Sequence, residues 1–167
     1  MDYRDIEAGA TEDFCWFKAK LELIDILLAK AGIKNSAKIL SAGCGIGREM
    51  EIIKEYGDIY AIDVDPGIIA SLPDGLCIEK RVCDVCDTSL YPDNFFDAVV
   101  AFDLLEHCKD DTPAIKEIHR ALKPNGLFVF TVSPRFNPFS AGMIGLLVIT
   151  GDTIEGCSRN HFSNLSV

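Results

Sequence analysis

Between Ile39 and Gly47 the chain reads ILSAGCGIG, an apolar run that breaks into glycines spaced G-x-G-x-G. No other segment constrains the fold as much. Lys38 to Ala42 has the length and apolarity of a buried strand. The glycines after it permit positive φ and let a ligand approach the backbone closely. A helix expected over Gly47 to Tyr56 would then offer free N–H groups at its start. Strand, glycine turn and helix in that order open a nucleotide-binding βαβ unit. The dinucleotide fingerprint G-x-G-x-x-G is not met, because Arg48 stands where its third glycine belongs.

The flanking sequence continues the alternation. From Phe14 to Ala31, Phe14, Phe17, Leu21, Ile24, Leu27 and Leu28 recur at helical spacing, with Thr11 as N-cap and Gly32 as stop. Asp58 to Val64 predicts a second strand, Asp65-Pro66 opens a turn or helix, and Ile78 to Val82 predicts a weaker third strand. DAVVAF (Asp97 to Phe102) predicts a fourth. Thr112 to Leu122 is amphipathic and is halted by Lys123-Pro124-Asn125-Gly126. LFVFTV (Leu127 to Val132) predicts the fifth strand. Such alternation predicts an α/β fold with a doubly wound, mostly parallel sheet, helices on both faces and ligands at the carboxyl ends of the strands. At 167 residues, one domain over 1–167 suffices. Beyond Ser133 the pattern decays. Ala141 to Thr150 (AGMIGLLVIT) is too short to cross a bilayer as a helix, and a buried helix, a substrate flap and a partner surface all remain open. Phe136, Phe139 and Met143 share that ambiguity.

Charge narrows the partners. Sixteen Lys and Arg against 26 Asp and Glu leave −10, a field that repels phosphate backbones and anionic membranes. Neither nucleic acid nor an integral membrane segment is expected. The seven cysteines show no framework spacing, and Met1 to Ala10 is acidic without an apolar core, so reduced thiols in a cytoplasm are expected. Cys83-x-x-Cys86 has no second pair at zinc-ribbon spacing, so no metal is expected.

Two acids follow strands at telling places. Asp63, about twenty residues past Gly43, sits where a carboxylate can accept from both hydroxyls of a ribose. It can equally cap a turn with Asp65 and Pro66. Asp84, just past the third strand, can accept from an adenine amino group, with Asp87 as competitor and a surface role open for either.

ILSAGCGIG, YAIDVD, CDVCD, NFFDAVVAFDLLEH and EIHRALKPNGLFVFTV occur in order and at the right intervals. Together they resemble the class I S-adenosylmethionine-dependent methyltransferases, of the UbiE-like small-molecule type. The resemblance runs roughly from Phe14 to Val132. It implies a Rossmann-like core over 37–133, an N-terminal lid helix in 1–32, and a substrate-side loop or truncated tail over 134–167. S-adenosylmethionine would be the cofactor and S-adenosylhomocysteine the product. By the same resemblance, Gly43, Cys44 and Gly45 would line the methionine and ribose portions. Asp63 would hold the ribose hydroxyls, with Val64 on the adenine and Asp84 and Val85 at its edge. Phe102 would face the methionine, with Asp103 and Leu104 beside it, and Trp16 and Phe17 would form the lid unless they are plain core aromatics. His107 would lie near the reaction site, as the base if the acceptor must lose a proton or as a packing and capping residue.

Two departures stand out. Ser41 occupies the position where the family usually carries an acid that helps hold the methionine ammonium, so affinity would be weaker or another acid would take over. The family sheet closes with two further strands in an antiparallel hairpin. Here the chain stops after Arg159-Asn160-His161-Phe162-Ser163, which leaves the last two strands missing, or the fifth strand as an edge for something else to cover, a second copy in a homodimer included. Methyl transfer to a small-molecule acceptor, with an apolar one open, is the function implied. The alternatives are a degenerate or partner-dependent cofactor-binding module, and a nicotinamide or nucleotide-sugar enzyme on a related fold.

Overall fold

A computed structural model describes residues 15–33, 36–132 and 145–150, with side chains given for 18–33 and 36–131. Helix α1 (Cys15–Ala31) precedes strand β1 (Ala37–Ala42), the short helix α2 (Met50–Ile53), β2 (Gly57–Asp63) and α3 (Pro66–Ser71). There follow β3 (Glu79–Val82), β4 (Phe96–Phe102), a 3-10 turn (Leu105–His107), α4 (Thr112–Ala121), β5 (Leu122–Val132) and β6 (Gly145–Thr150). The sheet order is β3-β2-β1-β4-β5-β6. Strands β1 to β5 run parallel and β6 antiparallel. The order reverses between β1 and β4, and the crevice outside such a switch point is where open α/β sheets bind ligands.

Both faces of the sheet are covered, which is why the central strands read as unbroken apolar runs rather than alternating ones. Leu40, Ala42, Val99, Ala101, Phe128 and Phe130 pack with Ala114, Ile115 and Ile118 of α4. Ile39, Ala61, Ala98, Val100 and Val129 face the other way, onto Ile24 and Leu28 of α1 and onto Met50 and Ile53. By this alternation Ser41 lies on the α1 face, opposite Val100, and is buried.

Three expectations need correction. The helix expected over Gly47 to Tyr56 contracts to Met50–Ile53. Gly47 has φ +82°, which keeps the chain out of the helix at its expected start, and β2 already begins at Gly57. Lys123 to Gly126 does end α4, but as a bulge within β5: Phe96 pairs with Leu122 and Ala98 next with Leu127, with Asn125 at φ +61°. Finally, β5 is not an open edge. Gly145 to Thr150, from the apolar stretch whose form was open, pairs along Val132 to Leu127, so no second copy is needed there. His161, Phe136, Phe139 and Met143 lie outside the described residues, as do the side chains of Trp16 and Phe17.

The segment after β3 is tied down by charge. Arg120 donates to the carbonyls of Thr88 and Tyr91 and to the carboxylates of Asp93 and Glu117. Glu117 also accepts from the N–H and hydroxyl of Thr88, both at 3.0 Å. The Arg120 guanidinium, with Thr88, holds the Glu117 carboxyl below the usual glutamate range.

Candidate functional site

The carboxyl end of β1 turns sharply at Gly43, whose φ is +62°. A Cβ there would lie 2.6 Å from Leu104 Cδ1, so a side chain is disfavoured by backbone angle and would force Leu104 to shift. Gly45, at φ +51°, differs: among the described residues an added Cβ would meet nothing within 4 Å. Open space therefore lies directly over the backbone at Gly45.

The turn is closed from within. Cys44 donates to the Ile62 carbonyl at 3.0 Å, Gly45 to Asp63 Oδ2 at 3.1 Å, and Gly47 to the Cys44 carbonyl at 3.1 Å. These three N–H groups are used within the turn, and the helix that follows has only four residues. Of the two expectations raised for Asp63, the turn-capping one is met. Its Oδ1 accepts from the Asp65 N–H at 3.0 Å, closing the turn with Asp65 and Pro66, while Oδ2 faces the glycine turn. Each carboxylate oxygen has a second lone pair, so acceptor capacity for a ribose remains. Asp65 in turn caps α3 by accepting from the N–H groups of Gly67 and Ile68.

The remaining candidates distribute around this point. Val64 is 64% exposed, an unusual amount of apolar surface beside a carboxylate, and it is free to cover a ring. Asp84 is exposed, and its Oδ1 accepts from the Cys86 N–H at 2.8 Å. Val85 is buried in the core, so only its backbone can border a ligand. Phe102, the last residue of β4, and Leu104, just beyond it, are half-buried. Cys44 is buried, and burial, with Asp63 adding to it, pushes its thiol up to about 12, so it is a neutral packing group. His107 ends the 3-10 turn with its side chain exposed, and among the described residues its ring has no hydrogen-bond or ionic partner. Trp16 lies in α1.

Three polar residues at the same edge, Lys20, Glu49 and Thr131, escaped the sequence reading, and they gather around Asp103. Lys20 of α1 is 5% exposed, and its Nζ donates to Glu49 and to Asp103, both at 2.8 Å. Burial alone would lower its pKa, but the two carboxylates outweigh burial and raise it, so the ammonium stays charged. Asp103 has φ +52°, and Thr131 at the end of β5 donates to its Oδ1 at 2.7 Å. The signal for Lys20 was its spacing. Lys20, Ile24 and Leu28 are successive buried positions four apart, so the lysine sits on the apolar stripe. A cavity of about 240 Å³ bordered by Ala37, Asp97, Lys123 and Asn125 lies at the opposite end of the sheet, away from all of these groups.

Residues 40–130 match the family described as Methyltransferase domain. The chain is 32% identical over 133 residues to the ubiquinone biosynthesis O-methyltransferase of Xanthomonas axonopodis pv. citri, covering 75% of this chain and 54% of that protein. It is 30% identical over 112 residues to the phosphoethanolamine N-methyltransferase of Triticum aestivum, covering 63% of this chain and 21% of that one. The chain thus spans about half the length of the Xanthomonas relatives. Among solved structures, the [4+2]-cyclase SpnF superposes with a TM-score of 0.66 at 25% identity, over 77% of this chain and 50% of that one. A putative sarcosine dimethylglycine methyltransferase from Galdieria sulphuraria gives 0.62 at 23%, over 70% and 47% respectively.

Proposed function

The chain belongs to the class I S-adenosylmethionine-dependent methyltransferases, and from that premise we propose that it binds S-adenosylmethionine at the carboxyl edge of β1, β2 and β4 and transfers the methyl group to a small molecule. The observation that carries this reading is the Asp63 carboxylate bonded to the Gly45 N–H at 3.1 Å, on a turn where the described residues leave the Gly45 Cβ position open. In the proposed pose the ribose hydroxyls donate to Asp63, the adenine lies against Val64 near Asp84, and the methionine portion extends toward Ser41, Phe102 and Leu104.

The bound sulfonium supplies an activated methyl carbon. The chain's own part is approach, alignment and exclusion of water. The half-buried Phe102 and Leu104 side chains shield the methionine end. His107, on the exposed turn just beyond, takes a proton from the acceptor only where the nucleophile must lose one. The Xanthomonas relatives are named for O-methylation in ubiquinone biosynthesis, which supports an oxygen acceptor on an apolar small molecule. The wheat relative is named for N-methylation, so the reading is committed to methyl transfer before the atom. A cytoplasmic enzyme with reduced thiols fits the cysteines, all five described ones being free.

A second reading has its own support. A cyclase shares this fold at 25% identity, and fold does not fix chemistry, so the domain would bind the cofactor without transferring its methyl group. A dinucleotide enzyme is disfavoured, since Arg48 stands where the third glycine of the G-x-G-x-x-G fingerprint belongs. Calorimetric titration with S-adenosylmethionine and S-adenosylhomocysteine tests the site. Asp63→Ala should weaken both at least about tenfold, the loss of one charge-assisted hydrogen bond. Folded protein that binds neither ligand at millimolar concentration would refute the reading. Binding without release of label from methyl-labelled cofactor to any acceptor would favour the second.

A further inference from the structure

S-adenosylmethionine ends in an ammonium group, which needs a counter-charge if it is to leave water. The end of β1 offers only the neutral hydroxyl of Ser41. The charges nearby belong to three other elements. Lys20 comes from α1, on the sheet face that Ser41 shares; Glu49 lies between the glycine turn and α2; Asp103 follows the end of β4, next to the Leu104 side chain that packs on Gly43. Lys20 bridges the two carboxylates at 2.8 Å each, and the group carries one net negative charge.

Resting on the cofactor reading above, we propose that the Lys20–Glu49–Asp103 triad seats the methionine ammonium of the cofactor in place of an acid at position 41, with Lys20 as the residue that positions the two carboxylates. Three features beyond proximity point this way. The Glu49 and Asp103 side chains keep 20% and 18% of their surface open while that of Lys20 keeps 6%, so the acceptors and not the lysine face outward. Lys20 occupies one oxygen of each, and Thr131 the second of Asp103, which leaves lone pairs on both carboxylates. Strand alternation would send Asp103 with Val99 and Ala101 to the α4 face, yet its positive φ ends the alternation and turns the carboxylate to Lys20. Left-handed backbone at a non-glycine residue is costly, and it persists only where surrounding contacts hold it.

Glu49→Gln and Asp103→Asn each bring the triad to neutrality with little change of shape. The probes are S-adenosylhomocysteine and its deamino analogue, which carries hydrogen in place of the α-amino group, titrated by calorimetry. Wild type should prefer the amine at least about tenfold, as one charge-assisted hydrogen bond implies. Each variant should reduce that preference to about threefold or less while binding the deamino analogue as wild type does, and Lys20→Arg, which keeps both ion pairs, should retain the preference. An unchanged preference in both neutral variants would overturn the proposal. Equal loss of both ligands would also overturn it, because a mere buttress for α1 predicts that result. If wild type binds neither ligand, the cofactor reading itself has failed and takes this proposal with it.

Discussion

Alanine at Gly43 and at Gly45 should separate folding from binding, because the two glycines serve different needs. Both have positive φ, and an L residue held there costs about 1–2 kcal/mol. At Gly45 that is the whole structural cost, since the new methyl meets nothing within 4 Å. At Gly43 the methyl falls 2.6 Å from Leu104 Cδ1, and overpacking adds about 1–3 kcal/mol even though a flexible side chain can shift. Gly45→Ala should therefore cost about 1–2 kcal/mol and Gly43→Ala about 2–5 kcal/mol. For a chain of this size each kcal/mol corresponds to about 2–4 °C in Tm. Binding should run in the opposite order. The methyl at position 45 stands in the open cradle, so Gly45→Ala should lose S-adenosylhomocysteine almost completely while remaining folded. Urea unfolding and calorimetry on the same samples give both quantities. Gly45→Ala that binds within twofold of wild type would refute the cradle, and equal stability losses at the two positions would refute the contact analysis.

Acid and thiol chemistry offer two more checks. Glu117 is held below the usual glutamate range by Arg120, so its stabilising contribution is complete above the unfolded value of about 4.3 and is lost as pH falls through the lower folded value. Glu117→Gln should flatten the urea-midpoint profile on the acid side, and parallel profiles for the two proteins would rule that contribution out. Cys44, with its thiol raised to about 12, should react with iodoacetamide at pH 8 on the order of a thousandfold slower than an unfolded cysteine, read by peptide mass mapping. Labelling of native Cys44 at the unfolded rate would mean that the turn opens.

The central strands were legible because their environment is uniform. Ile39, Leu40, Val99, Val100, Phe128 and Val129 are buried whichever way they point, so an apolar run sufficed. The position of Asp63 at the end of β2, beside the glycine turn, was legible because it depends on β1 and β2 alone. What escaped depends on partners distant in sequence. A lysine at position 20 reads as a solvated helix residue until Glu49 and Asp103, 29 and 83 residues away, are brought to it. The length of α2 turns on one glycine dihedral, which composition does not encode. GLLVIT has no period that separates helix from strand, and only the unpaired side of β5 decides it.

The internal bonding of the glycine turn also bears on how an encounter with a ligand proceeds. A loop that must be ordered on binding loses conformational entropy at that moment, and the affinity drops accordingly. Here Cys44, Gly45 and Gly47 have their hydrogen bonds before anything arrives, two of them to the end of β2 and its carboxylate. The cradle is preorganised: association displaces water from it and does not have to fold it. Under the proposed cofactor reading, selectivity at the adenosine end would come from a fixed shape, set when the sheet assembles.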